Sequence, residues 1–119
     1  MAAPNIVNVS TITAKTVGAT LSTGTSTPLS NSASSGKVFK VNTILVSNVD
    51  GTNSADVTVE YYDGSTAIRI ARNIAVPADS TLVVTDKNSV IYLEEGKSIR
   101  AFASAASDLE ILISYEEIS

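Results

Sequence analysis

The sequence predicts an all-β domain, an antiparallel β-sandwich or jelly roll of roughly seven to nine short strands. Short runs rich in Val, Ile, Leu and Thr recur at roughly 8–12-residue spacing, separated by clusters of Gly, Pro, Asn, Asp and Ser. Within several runs apolar and polar side chains alternate, the period of a strand buried on one side. After Gly36 no stretch repeats apolar residues at helical spacing over three turns. At 119 residues the chain suits one hydrophobic core, so residues 1–119 are expected to form a single domain. The 44% hydrophobic content includes only 5% aromatics, so Val, Ile, Leu and Ala must fill that core.

Taken in order, residues 6–20 carry β-branched side chains and Gly18 and suit a strand or an extended arm. Residues 20–36 (TLSTGTSTPLSNSASSG) favour turns and form a Ser/Thr-rich loop, with one short edge strand expected around Pro28. Residues 37–49 (KVFKVNTILVSNV) begin by alternating and end in the run Ile44-Leu45-Val46, which suggests a central strand buried on both faces. The turn chemistry of residues 50–54 (DGTNS) leads into the clean alternation of residues 55–62, and the pair reads as a hairpin. A second turn at Asp63-Gly64-Ser65 precedes a strand over residues 67–71 with Ile68 and Ile70 on one face. A break at Pro77 separates this from residues 81–85 (TLVVT). Further strands are expected at residues 90–93, 98–103 and 109–118, the last with Leu109, Ile111, Ile113 and Tyr115 on one face. Val57, Val59, Ile68, Ile70, Leu82, Val84, Ile111 and Ile113 are the expected core.

Twelve acidic and eight basic residues give a formal charge of -4, and the basic residues never cluster, which argues against nucleic acid or an anionic membrane as partner. No cysteine and no histidine occur. Disulfides, thiolate metal sites and every Ser-His-Asp or Cys-His arrangement are thereby excluded, and with them the commonest general base. Glu94-Glu95 and Glu116-Glu117 are adjacent, so along a strand their carboxylates face opposite ways and cannot share a proton. Residues 50–56 gather oxygen ligands but lack the distal bidentate Glu of a calcium loop, and the six glycines form no phosphate-binding pattern. The reading is a non-enzyme with no cofactor, no metal site, no signal peptide and no membrane span.

Two features suggest partner contacts. Tyr61 and Tyr62 must face opposite sides of a strand, and Tyr62 is the candidate for an exposed anchor. Residues 1–9 read as an extended N-terminal arm: Pro4 fixes an open geometry, and Ile6, Val7 and Val9 would gain by packing on another subunit. An ordinary first strand of the same sandwich is the competing reading of that segment.

The opening MAAPNIVNVSTITAKTVGATLS, the middle GKVFKVNTILVSNVDGTNSADVTVEYYD and the ending VPADSTLVVTDKNSVIYLEEGKSIRAFASAASDLEILISYEEIS together resemble small virion structural proteins of tailed bacteriophages, those of marine cyanophages above all. The resemblance implies a non-enzymatic component of the virion, a head decoration or cement protein that stabilises the capsid by binding the shell. It implies association with copies of itself, a trimer by preference because shell proteins cluster at local three-fold positions, and with virion proteins such as the major capsid protein. A tail, neck, baseplate or fibre component is the alternative. A host-receptor or carbohydrate-binding module is a third reading, and with no Trp, two Phe and four Tyr it lacks the usual stacking platform.

Overall fold

A computed structural model describes residues 7–119. These residues form nine strands: β1 (Ile12–Thr20), β2 (Ser26–Ser30), β3 (Val38–Asn48), β4 (Ala55–Tyr62), β5 (Ala67–Val76), β6 (Thr81–Thr85), β7 (Ile91–Leu93), β8 (Ser98–Ala103) and β9 (Leu109–Ile118). They pair antiparallel in two sheets, the first in the order β1-β9-β3-β6 with β7 also on β3, the second in the order β2-β8-β4-β5. Leaving aside the short β7, this is the strand order of a jelly roll. β6 lies along residues 44–47 of β3 and β7 along residues 39–41, so together they make one split edge.

The core lies between the sheets. Val41, Ile44, Val46, Ile111, Ile113 and Tyr115 from the first sheet meet Val57, Val59, Ile99, Ala101 and Ala103 from the second. Phe39 and Tyr115 pack as a tilted ring pair with centroids 5.2 Å apart. The β9 alternation is strict: Leu109, Ile111, Ile113 and Tyr115 are buried. Of the expected core, Val57, Val59, Ile111 and Ile113 are buried, and Ile70, Leu82 and Val84 pack half-buried against them.

Ile68 departs from the expectation and is 58% exposed. It sits opposite Tyr61 near the tip of the β4–β5 hairpin, on β5, an edge strand paired on one side only. β5 also runs past residue 71 to Val76, because Asn73, at φ 50°, absorbs a bulge that the sequence pattern had suggested was a strand end. Thr58 Oγ1 accepts from Asn73 N at 3.1 Å and donates to Asn73 Oδ1 at 3.2 Å, which pins that bulge to β4.

The hairpin expected around residues 50–54 is absent: β3 and β4 belong to different sheets, and that loop is a crossover. Only β4 and β5 are both consecutive and paired, joined through a turn in which Gly64 has φ 102° and Asp63 N bonds Thr66 O. The crossovers are held by two buried asparagines, one at each end of the sandwich. Asn48 Nδ2 donates to Asn53 O at 2.9 Å and Val76 O at 2.8 Å, and its Oδ1 accepts from Asp50 N, so β3 is tied to the end of β5 in the other sheet. Asn31 Nδ2 donates to Lys37 O and Leu93 O, both at 2.9 Å, and ties the end of β2 to β7. Both satisfy backbone carbonyls that the sheets cannot reach.

Candidate interaction surface

Three strands of the first sheet contain three consecutive aliphatic residues: Ile44-Leu45-Val46 in β3, Leu82-Val83-Val84 in β6 and Ile111-Leu112-Ile113 in β9. In each triplet the first and third residues turn toward the core, so the period of two sends the middle one to the outer face. The pairing places these middle residues side by side: Leu45 opposite both Leu112 and Val83, and Gly18 of β1 opposite Leu112. The result is a row, Gly18-Leu112-Leu45-Val83, running across all four main strands of the first sheet. Leu112 is 46% and Val83 55% exposed. Leu45 is half-buried, so β3 is not covered on its second face as Ile44-Leu45-Val46 had suggested; nothing among the described residues layers over this side of the sheet.

Small polar side chains and one carboxylate, Glu110, flank the row. On one side lie Thr16, Ser114 and Thr43, and on the other Thr20, Glu110, Ser47 and Thr81. Beside Gly18, whose missing side chain would meet Leu112 Cδ1 at 3.4 Å, the surface opens into a shallow depression of about 440 Å³ reached by Thr20, Ser47, Glu110 and Leu112. An apolar row on a face with few charges is the surface expected where another protein docks.

The outer face of the second sheet is closed by its own charges. Glu60, buried at 3% exposure, lies between Arg69 (Nε to Oε2, 3.0 Å) and Arg100 (Nε to Oε1, 3.7 Å). The longer contact is an ion pair without a hydrogen bond, and Glu60 Oε1 has no hydrogen-bond partner. Arg100 also stacks over the Tyr62 ring, 4.2 Å from its centroid. Tyr62, singled out from the sequence as an anchor, is therefore half-buried with a ring face against Arg100. Tyr61, on the opposite side of β4, packs half-buried against the core; burial first, then Glu94 and Asp63, push its hydroxyl above the ordinary range.

The other carboxylates serve the scaffold. Glu117 takes Lys37 at 3.1 Å and Lys15 at 3.2 Å. Burial alone would raise its pKa, but the hydrogen bonds and charges of the two lysines outweigh it and hold the carboxyl below its usual range. Asp50 and Asp63 are lowered by backbone N–H groups, of Thr52 and Asn53 for the first and Thr66 and Ser65 for the second. Glu116 accepts from Asn42, and Glu95 from the Gly36 backbone.

Of the arm residues expected to meet a partner, Ile6 lies outside the described residues. Val7 is 90% exposed and Val9 half-buried, both ahead of the point where Ser10 N and Thr11 N bond Ser119 O and β1 begins. Leu112, Leu45 and Val83 escaped the sequence reading. Their signal was present as three apolar residues in succession, which a strand with one solvated face does not require.

No protein-family model matches the chain, and no curated protein matches it. Among solved structures it is similar to a protein of Bacillus endospore appendages, described as a family of disulfide-linked pili, with a TM-score of 0.54 at 13% identity over 92% of this chain and 87% of that one. It also aligns with two structures of a pentameric capsid protein from metagenomic phage sequences, at TM-scores of 0.42 and 0.38, identities of 19% and 17%, and 87% of this chain in both. The chain spans 62% and 60% of those two capsid chains. The appendage likeness shows a shared fold.

Proposed function

We propose that the chain is a non-enzymatic structural subunit of a phage particle, a head decoration protein that binds the shell through the outer face of its first sheet. The observation that carries this reading is the in-register row of Leu112, Leu45 and Val83 on a sheet face over which nothing among the described residues is layered. The phage-like sequence supplies the setting, and a sequence without histidine or cysteine supports a role in assembly over one in catalysis. The fold shared with the appendage protein is used there in disulfide-linked pili; with no cysteine, copies of this chain cannot be joined by disulfides. Residues 1–9, with Ile6, Val7 and Val9, belong to the same proposal as an arm onto the shell or a neighbouring subunit, and Tyr62 as a secondary contact.

Purified particles test this reading in two ways. The ratio of this protein to the major capsid protein should correspond to many copies per head; a few copies per particle would place it on the neck or tail instead. Leu112→Asp should lower binding to particles stripped of the protein by tenfold or more, since burying one Leu side chain is worth about 1.5–3 kcal/mol. Undiminished binding by a folded Leu112→Asp variant would overturn the assigned face.

A further inference from the structure

The two sheets have four lateral edges, and three are protected against adding a strand. β2 has five residues with Pro28 at their centre and a register shift against β8. β5 carries two register shifts, Asn73 at φ 50° and the charges of Arg69 and Arg72. The β6 and β7 edge is split into five and three residues. Pro, bulges, charges and shortness are the devices by which sheets avoid edge-to-edge pairing. β1 has no Pro, no bulge and no such shortness. Its nine residues pair with β9 in unbroken register from Ile12 opposite Ile118 to Thr20 opposite Glu110, and all but Val17 and Ala19 are exposed. Its one charge, Lys15, is bound to Glu117 of the same chain at 3.2 Å.

We infer that β1 is a docking edge for β1 of a second copy, joining two first sheets into one continuous antiparallel sheet about a two-fold axis. This rests on the reading of the chain as a subunit that associates with copies of itself, and it names a two-fold contact where the sequence suggested a three-fold cluster. Pairing that uses all nine residues has one antiparallel register, centred on Thr16. It sets Thr16 against Thr16 of the second copy, a favourable cross-strand pair, and Ala14 against Gly18. Lys15 then lies directly opposite Val17 and diagonal to the Lys15 of the second copy, each lysine paired with Glu117 of its own chain at 3.2 Å.

The register also engages the surface features at both ends of β1. Ile12, 57% exposed, comes to lie opposite Thr20 and diagonal to Gly18 of the other copy, on the rim of the depression that Thr20, Glu110 and Leu112 border. An exposed apolar side chain thus meets a hollow of the second copy, twice by symmetry. The identical patch on both partners is what a two-fold interface requires. The two Leu112-Leu45-Val83 rows would end on the same face of the joined sheet.

The experiment uses the full chain alone, with no particle present, so its failure would leave the shell-binding face untouched. The wild-type protein should sediment as a dimer at high micromolar concentration. Thr16→Lys, which opposes two like charges at the axis, should sediment as a monomer and melt at the wild-type temperature at dilutions where the wild type is also monomeric, and Ile12→Ser should raise the dissociation constant about tenfold. Because the chain has no cysteine, Thr16→Cys supplies a single thiol that oxidation to a disulfide or alkylation by a short bis-maleimide should link to its mate. Ala14→Cys should not link, because its mate would stand four residues away, about 13 Å along the strand. A monomer at every concentration, a trimer or pentamer, a dimer that Thr16→Lys leaves intact, or cross-linking through Ala14→Cys as fast as through Thr16→Cys would each overturn the pairing.

Discussion

The two sheets of this jelly roll share a core but finish their outer surfaces in different ways. The second sheet spends its outward side chains on itself: Glu60 binds Arg69 and Arg100, Arg100 covers Tyr62, and both edges are interrupted. The first sheet leaves leucine and valine in a row and one edge long and regular. A strand face with no internal task can carry any soluble residue, so aliphatic side chains there are hard to explain by the fold alone. The contrast separates residues that stabilise the domain from residues free to serve an assembly, although both groups lie on outer faces.

The comparison breaks most visibly at Glu60. Glu60→Ala would leave two arginines facing each other across the space of the lost carboxylate. Breaking a fully buried pair costs about 3–5 kcal/mol, and because the Arg69 and Arg100 side chains are 46% and 27% exposed the expected loss is about 2 kcal/mol. For a domain of this size that lowers the melting temperature by roughly 5–10 °C. A melting temperature unchanged within a degree would show that the charged cluster is ornament and that the two sheets do not differ as argued.

A smaller effect separates the sheets by pH. Glu117 in the first sheet has its pKa lowered from an ordinary 4.5 by Lys37 and Lys15, against the opposing effect of burial. A carboxylate with a depressed folded-state pKa binds protons more weakly folded than unfolded. Its contribution is therefore present above about pH 4.5 and is lost as pH falls below that value through the folded pKa. Asp50 and Asp63, also lowered, add to the loss in acid. Unfolding by denaturant measured from pH 7 down to pH 3 should show stability falling through this window, and Glu117→Gln should flatten the fall. An equally steep fall in Glu117→Gln would assign the acid sensitivity to the two aspartates instead.

Much of this architecture was legible because alternation reports directly on strands. The spans of β4, β6, β8 and β9 follow the sequence pattern residue for residue, as does the buried face of β9. Residues 50–54 misled because turn composition tells where a chain reverses and not which sheet receives it; the reversal here is set by Asn48 reaching Val76, 28 residues away. Ile68 misled because alternation assigns a face but not how near a sheet edge and a hairpin tip the residue will lie. The row of Leu45, Leu112 and Val83 stayed hidden for a related reason, since each residue is unremarkable within its own strand and becomes a surface only once β3, β6 and β9 are aligned in register.

The smallest expected effect gives the sharpest test of the contrast. Leu112 faces outward, 46% exposed, between Gly18 on β1 and Leu45 on β3, and its neighbours Ile111 and Ile113 carry the core contacts of β9. Leu112→Ser removes an aliphatic side chain without opening a cavity in the core, and it introduces a hydroxyl that water can reach. The conditions for a large loss are absent: no buried polar atom loses its partner and no cap or turn is altered. Thermal stability should therefore change by no more than about 0.5 kcal/mol, compared with about 2 kcal/mol for Glu60→Ala on the other sheet. If Leu112→Ser instead cost as much as Glu60→Ala in the isolated domain, Leu112 would be part of the fold's own packing and the open face would lose its claim to be kept for a partner. A near-neutral Leu112→Ser together with a costly Glu60→Ala would show one sheet completing the domain and the other left open beyond it.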